Sequence, residues 1–249
     1  MSAINLQQTK KSFLLALSLL TRIPAGSFDE ITDQDSGQSA LFYPLIGLLI
    51  GFILYLPILL FPSTPPHFLA VFIVTLWAII TGGLHLDGLA DSADGWLGGL
   101  GDKERTLSIM KDPVVGAGGA IALVCFLLLK ASALSVLIEN NTAWLLIITP
   151  MVGRLMILFT FHTTEYANKT GMANSVVENL PKQASLIILA LGFISVCFVN
   201  IWGLLIVLVG FFFLRRLMIK RLGGCTGDTV GATVEISEML FMSGLVLSL

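Results

Sequence analysis

Charge is what this chain has least of. Only 12% of its 249 residues are Asp, Glu, Lys or Arg, about half the share a soluble domain carries. With 55% hydrophobic residues and a mean hydropathy of +0.90, the chain is marked as a membrane protein. A formal net charge of −2 is too small to argue for nucleic acid or an acidic partner. Cysteine is scarce as well. Cys125, Cys197 and Cys225 are odd in number and widely spaced, with no C-x-x-C pair and no histidine at zinc-ligand spacing, so they read as unpaired packing residues. No internal repeat stands out either, although TGGLHLDG and LGGCTGDT are loosely alike.

What is present is a series of apolar runs. A span needs roughly 20 apolar residues, about 17 at the least, and segments 41–61, 67–86, 114–136, 143–161 and 230–249 qualify. The stretch 184–214 is either one long helix or two short ones that break near Asn200, and charge decides between them. With a break, residues 1–40, 87–113, 162–183 and 215–229 share one side and hold 12 of the 14 basic residues, while the opposite loops hold none. The positive-inside rule therefore favours seven spans with those four segments cytoplasmic. Lys10, Lys11 and the apolar FLLALSLL that follows imitate a short secretory signal. The run is short and is followed at once by Arg22 and Pro24, which suits an interfacial or re-entrant helix better. The expected architecture is all-α: one polytopic membrane domain over 1–249, with about seven transmembrane helices and an N-terminal interfacial or re-entrant helix.

The rare charges are not scattered. In GGLHLDGLADSADG (82–95), Asp87, Asp91 and Asp94 follow an apolar run at positions i, i+4 and i+7, one narrow stripe of a helix. Like charges so placed repel unless a cation intervenes. All-oxygen ligation suits Mg²⁺ or Mn²⁺, which also bind substrate phosphate. A solvated acidic helix start is the plainer alternative for any single aspartate. His85 is read either as a packing residue or as a proton acceptor or phosphate donor. Downstream, Arg105 and Lys111 are suited to the diphosphate oxygens that a metal leaves uncovered, whereas Lys103 reads as a positive-inside anchor.

A second polar stretch, LGGCTGDTVGATVEISE (222–238), falls on the same side in the seven-span path. Thr226, Gly227 and Asp228 form the natural mouth of a cavity, and Asp228 shares a stripe with Glu235. Arg154 and Glu235 are ionisable groups inside spans, which are costly unless paired or facing a wet cavity. Both readings hold for them: a mutual salt bridge, or a cavity lining that faces the aspartates. Glu139 and Lys130, nearer the other side, carry no role in this reading. The two motifs on one face suggest one composite site containing both Asp91 and Asp228.

Taken together, TRIP (21–24), YPLIGLLIG (43–51), GGLHLDGLADSADG (82–95), IMKDPVVGAGGA (109–120), GR (153–154) and LGGCTGDTVGATVEISE (222–238) resemble the cobalamin synthase family, the adenosylcobinamide-GDP ribazoletransferases, over nearly the whole chain. Pro113 stands where that pattern has a small polar residue. The resemblance implies a Mg²⁺-dependent transferase in a bacterial inner membrane with its active site facing the cytoplasm. In such an enzyme α-ribazole or its 5′-phosphate attacks the cobinamide-bound phosphorus of adenosylcobinamide-GDP, GMP departs, and adenosylcobalamin or its 5′-phosphate results. It leaves room for a homo-oligomer or a complex with other late cobalamin-pathway enzymes. On this reading the catalytic set is Asp87, Asp91, Asp94, His85 and Asp228. Arg105, Lys111, Arg154, Thr226 and Glu235 contact substrate. The competing readings are a CDP-alcohol-type phosphotransferase and a cation-coupled transporter. Transporter sites lie near the bilayer midplane, and these aspartates do not.

Overall fold

The computed structural model describes residues 6–28, 30–167 and 172–249; Lys169, counted above among the basic residues, lies outside them. In chain order the helices are α1 (Leu6–Leu20), α2 (Asp33–Ser39), α3 (Tyr43–Leu60), α4 (Pro66–Thr81), α5 (Leu84–Gly98), α6 (Lys103–Met110), α7 (Ala117–Glu139), α8 (Thr149–Thr163), α9 (Met172–Glu178), α10 (Lys182–Val199), α11 (Ile201–Leu222) and α12 (Gly227–Leu247). An isolated bridge between Tyr166 and Cys225 is the only extended pairing among the described residues. Helices suit lipid because they satisfy their own backbone donors and acceptors.

Six of these segments are long and apolar enough to cross a membrane, or seven if the bent pair α4 and α5 counts as one span. The expected span 67–86 is shorter than its hydropathy suggests. Gly82 and Gly83 both take left-handed conformations, with φ of 64° and 71°, which side-chain-bearing residues rarely adopt. They end α4 at Thr81 and turn the chain by 93° into α5.

Asn200 does break the 184–214 stretch. It is extended, ends α10, and its side chain accepts the Gly203 N–H at the start of α11. Ser185, early in α10, meets His162 at 2.7 Å, and Arg215, late in α11, donates to the Thr163 carbonyl at 2.6 and 2.9 Å. Since residues 185 and 215 reach the same end of α8, the two helices form a hairpin. At the opposite end the Asn200 amide donates to the Ser248 hydroxyl.

The basic segments gather at one end. Ser175 donates to Asp33, Arg221 donates to the Thr106 hydroxyl, and Cys225 exchanges backbone hydrogen bonds with Glu165 and Ala167. α1 joins them: Lys11 pairs with Asp35 at 2.6 Å, and Asp35 also closes the capping box of α2. α1 is not among the segments long enough to span, and it packs beside α2 and α3.

α8 and α12 form the centre, with 72% and 67% of their apolar windows buried, against 22% for α7 and 17% for α10 at the rim. Rim side chains such as Phe198 and Val209 are exposed, as a lipid-facing belt requires. Cys125 and Cys197 belong to this exposed rim and Cys225 alone is buried, so two of the three cysteines are not packed inside.

Candidate active site

The bend at Gly82–Gly83 sends α5 across the basic end of the bundle, where it packs on α12 and α7. The aspartates therefore stand beyond the end of α4, on the second limb of that bent pair. Gly88 brings the two motifs together. A Cβ there would lie 2.6 Å from the Asp228 carbonyl oxygen, so only glycine lets the α5 backbone rest on the start of α12. Asp228 sits in the first turn of α12. The cap itself is Thr226, whose hydroxyl accepts the Thr229 N–H while the Thr229 hydroxyl accepts the Thr226 N–H. Thr226 is buried and used in this way, and it leaves the Asp228 carboxylate free of the capping role.

A cavity of about 710 Å³ opens over this junction, within the roughly 300–1,000 Å³ of small-molecule sites. His85, Asp87, Gly88, Gly227 and Asp228 line one side; Leu15, Leu19, Tyr43, Ile157, Phe161 and Tyr166 are among those lining the rest. His85 is buried and its Nδ1 has no protein partner. Tyr166 carried no role in the sequence reading. The paired backbone bonds between 165–167 and Cys225 hold it beside the α12 start. Its tyrosine in the polar stretch TTEYANKT was the only visible signal.

The three motif aspartates have different surroundings. Asp94 accepts the Gly116 N–H at 2.7 Å and the Gly119 N–H at 2.9 Å, so it anchors the N-terminus of α7, where a carboxylate is favoured. Asp87 faces the cavity. Asp91 lies between them, and burial together with the carboxylates of Asp87, Asp228 and Asp94 pushes its carboxyl up to about 6. Among the described residues no three acidic, histidine or cysteine side chains converge into a ready-made metal cage. The donor set fits Mg²⁺ nonetheless: that ion keeps several waters and takes only one or two carboxylates plus substrate phosphate, and Asp87, Asp91 and Asp228 offer oxygens without paired cations.

The proposed phosphate contacts stand elsewhere. Arg105 and Lys111 are exposed on and just after α6 and do not line the cavity. Arg154 and Glu235 are buried and belong to one ionic network. Lys130 of α7 binds Glu235 and Glu238 of α12 at 2.6 Å each, and Arg154 of α8 binds Glu238. The bridge between Arg154 and Glu235 read as the plain alternative is thus replaced by one through Glu238. Lys130, given no role in the sequence reading, is the hinge of the network and also sits 4.2 Å over the Trp77 ring. The reason is that α7, α8 and α12 meet at this depth, and an unpaired lysine there would be very costly.

Fold and site define a polytopic, all-helical membrane protein with an acidic cavity at its basic end. The family model described as cobalamin-5-phosphate synthase matches residues 12–246, and the chain belongs to that family. It is 46% identical over 240 residues to an adenosylcobinamide-GDP ribazoletransferase of Pseudomonas entomophila, covering 94% of this chain and 98% of the relative. Proteins of the same name from Acinetobacter baumannii, at 45% identity with 95% and 97% coverage, and Pseudomonas putida, at 43% with 95% and 99%, are similar to it too. No solved structure matches.

Proposed function

We propose that the chain is an adenosylcobinamide-GDP ribazoletransferase, which joins α-ribazole or its 5′-phosphate to adenosylcobinamide-GDP and releases GMP. The observation that carries this reading, beside family membership, is the close approach of α5 to Asp228 through Gly88, which sets the carboxylates of two distant motifs at one cavity. The cavity side of His85, Asp87 and Asp228 receives the diphosphate and the attacking hydroxyl. A ribose hydroxyl of the ribazole other than the 5′ one, which carries the phosphate when the 5′-phosphate is the substrate, forms a bond to the cobinamide-bound phosphorus, the bond from that phosphorus to the oxygen bridging to GMP breaks, and GMP leaves with that oxygen. A carboxylate or His85 takes the hydroxyl proton. Asp87, Asp91 and Asp228 would hold Mg²⁺, which when bound neutralises diphosphate oxygens as charge shifts to GMP. Arg105 and Lys111, exposed on the same end, take up substrate charge as it enters.

The active site faces the cytoplasm of a bacterial inner membrane, because that end carries the basic loops. Two measurements test the reading. Purified protein in nanodiscs, given adenosylcobinamide-GDP, α-ribazole and Mg²⁺, should release GMP in step with cobalamin formation. CMP release from a CDP-alcohol, or cation flux without product, would replace it with one of the competing readings. Cysteines introduced as Lys103→Cys and Lys220→Cys, in a background lacking the native three, should both resist an impermeant thiol reagent in intact cells; labelling of both would reverse the orientation.

A further inference from the structure

On the back of α5, away from Asp87, the bundle has a second cavity that the proposed reaction does not use. It measures about 230 Å³ and is lined by Ser92 and Trp96 of α5, Phe126 of α7, Leu214 and Met218 of α11, and Thr233 of α12, among others. That is smaller than a site for a whole small molecule. Two of its walls, α7 and α11, are among the least buried of the candidate spans, and α12 packs against both.

Two polar features make it more than an apolar groove. Ser92 is among the residues that line the slot, and its buried hydroxyl has no hydrogen-bond partner, although a buried hydroxyl normally finds one. At the basic end, the Arg221 guanidinium lies 5.7 Å over the Trp96 ring and donates to Thr106, with Lys220 next in sequence and Lys103 close to Gly223. Apolar slot, lone hydroxyl and cationic mouth follow one another as do the parts of a phospholipid: acyl chain, ester carbonyl and phosphate. We propose that this slot is a specific phospholipid site. One acyl chain lies between α7 and α11, its ester carbonyl accepts the Ser92 hydroxyl, and its anionic headgroup meets Arg221. The occupant comes from the leaflet on the side of the basic loops and braces α5 from behind.

The test uses the full chain in detergent, stripped of lipid and titrated with phosphatidylglycerol brominated in the acyl chains, which quench a tryptophan on contact. The Trp96 signal is the difference between the native chain and Trp96→Phe. It should be quenched saturably, at one lipid per chain. Ala122→Phe, which fills the slot with a side chain tolerated at a lipid-facing wall, should abolish the saturable part. Arg221→Gln should weaken phosphatidylglycerol about five-fold, the usual value of one surface cation, and leave phosphatidylcholine unchanged. Quenching that rises without saturation and is the same in Ala122→Phe, or a dimer in which Trp96 is covered by a second copy, would overturn the proposal. None of these readouts requires catalysis, so they stand or fall apart from the proposed activity.

Discussion

Two groups of charges, both bridging α12 to its neighbours, follow opposite rules. In the bundle, Lys130 and Arg154 face Glu235 and Glu238, two cations against two anions, with every carboxylate paired. At the basic end, Asp87, Asp91, Asp94 and Asp228 crowd together, and no cation pairs with any of them among the described residues. A balanced set buried in lipid is a way of holding helices in register. An unbalanced set of carboxylates beside a cavity repels itself. The difference separates ionisable residues that pair within the protein, Arg154 and Glu235 among them, from those that do not.

The largest expected effect is on turnover. Asp87→Ala, Asp91→Ala and Asp228→Asn should each lower kcat by about a hundred-fold or more, and EDTA should do the same, while expression and melting temperature stay near normal. Since Thr226 and not Asp228 is the cap, Asp228→Asn has no capping loss to confuse the result. Asp94→Ala should also lose activity, but with a melting temperature lowered by the loss of about 1 kcal/mol at the start of α7. GMP release beside thermal denaturation separates the two patterns, and normal turnover in any two of the Asp87, Asp91 and Asp228 variants would erase the contrast.

Next comes the paired set. Lys130→Met leaves two buried carboxylates with one cation, and breaking a buried pair costs about 3–5 kcal/mol. It should appear as a low melting temperature or poor yield. Lys130→Met with Glu235→Gln should recover part of the loss, because the second change removes one of the stranded charges. If the double variant is no better than the single, the network is not acting as a balanced unit.

How much of this contrast the sequence discloses depends on the range of the interaction. The stripe of Asp87, Asp91 and Asp94 is local and readable from helical spacing alone. The hairpin at Asn200 is readable because loop charge reports sidedness. Partners across the bundle are different. Lys130 and Glu238 are 108 residues apart, and a hydropathy run fixes that a helix spans without fixing its rotation or depth. So the sequence gives Lys130 no role and leaves Arg154 open between a salt bridge with Glu235 and a cavity-lining substrate contact. The partners of Asp94 are hidden for the same reason: the amides of Gly116 and Gly119 come to it only through packing. The 93° turn between α4 and α5 is hidden as well, because it follows from two successive left-handed residues, Gly82 and Gly83.

A smaller effect is expected at the contact that unites the motifs. Gly88→Ala would press a methyl group against the Asp228 carbonyl, and overpacking costs about 1–3 kcal/mol. The separation of α5 from α12 should lower kcat more than it raises KM for either substrate. An unchanged kcat would mean that the junction tolerates the shift and that the carboxylates need not be so close.

The smallest effect is a dependence of stability on pH in metal-free protein, and it comes from Asp91. Its carboxyl is pushed up to about 6, first by burial and then by Asp87, Asp228 and Asp94. A raised carboxyl binds its proton more tightly in the folded chain than in the unfolded one, so ionisation opposes folding. The penalty is complete above about pH 6 and is relieved as the pH falls from there towards the ordinary aspartate value of 3.8. Metal-free protein should thus melt slightly higher at pH 5 than at pH 7, and solvent screening of this partly exposed group keeps the gain small. Asp91→Asn should remove the increment, and Mg²⁺ with a diphosphate should reverse its sign by favouring the ionised form. A melting temperature that falls from pH 7 to pH 5 by the same amount in both proteins would show that Asp91 titrates unhindered, and the carboxylates at the cavity would then be no more crowded than those on an ordinary wet surface.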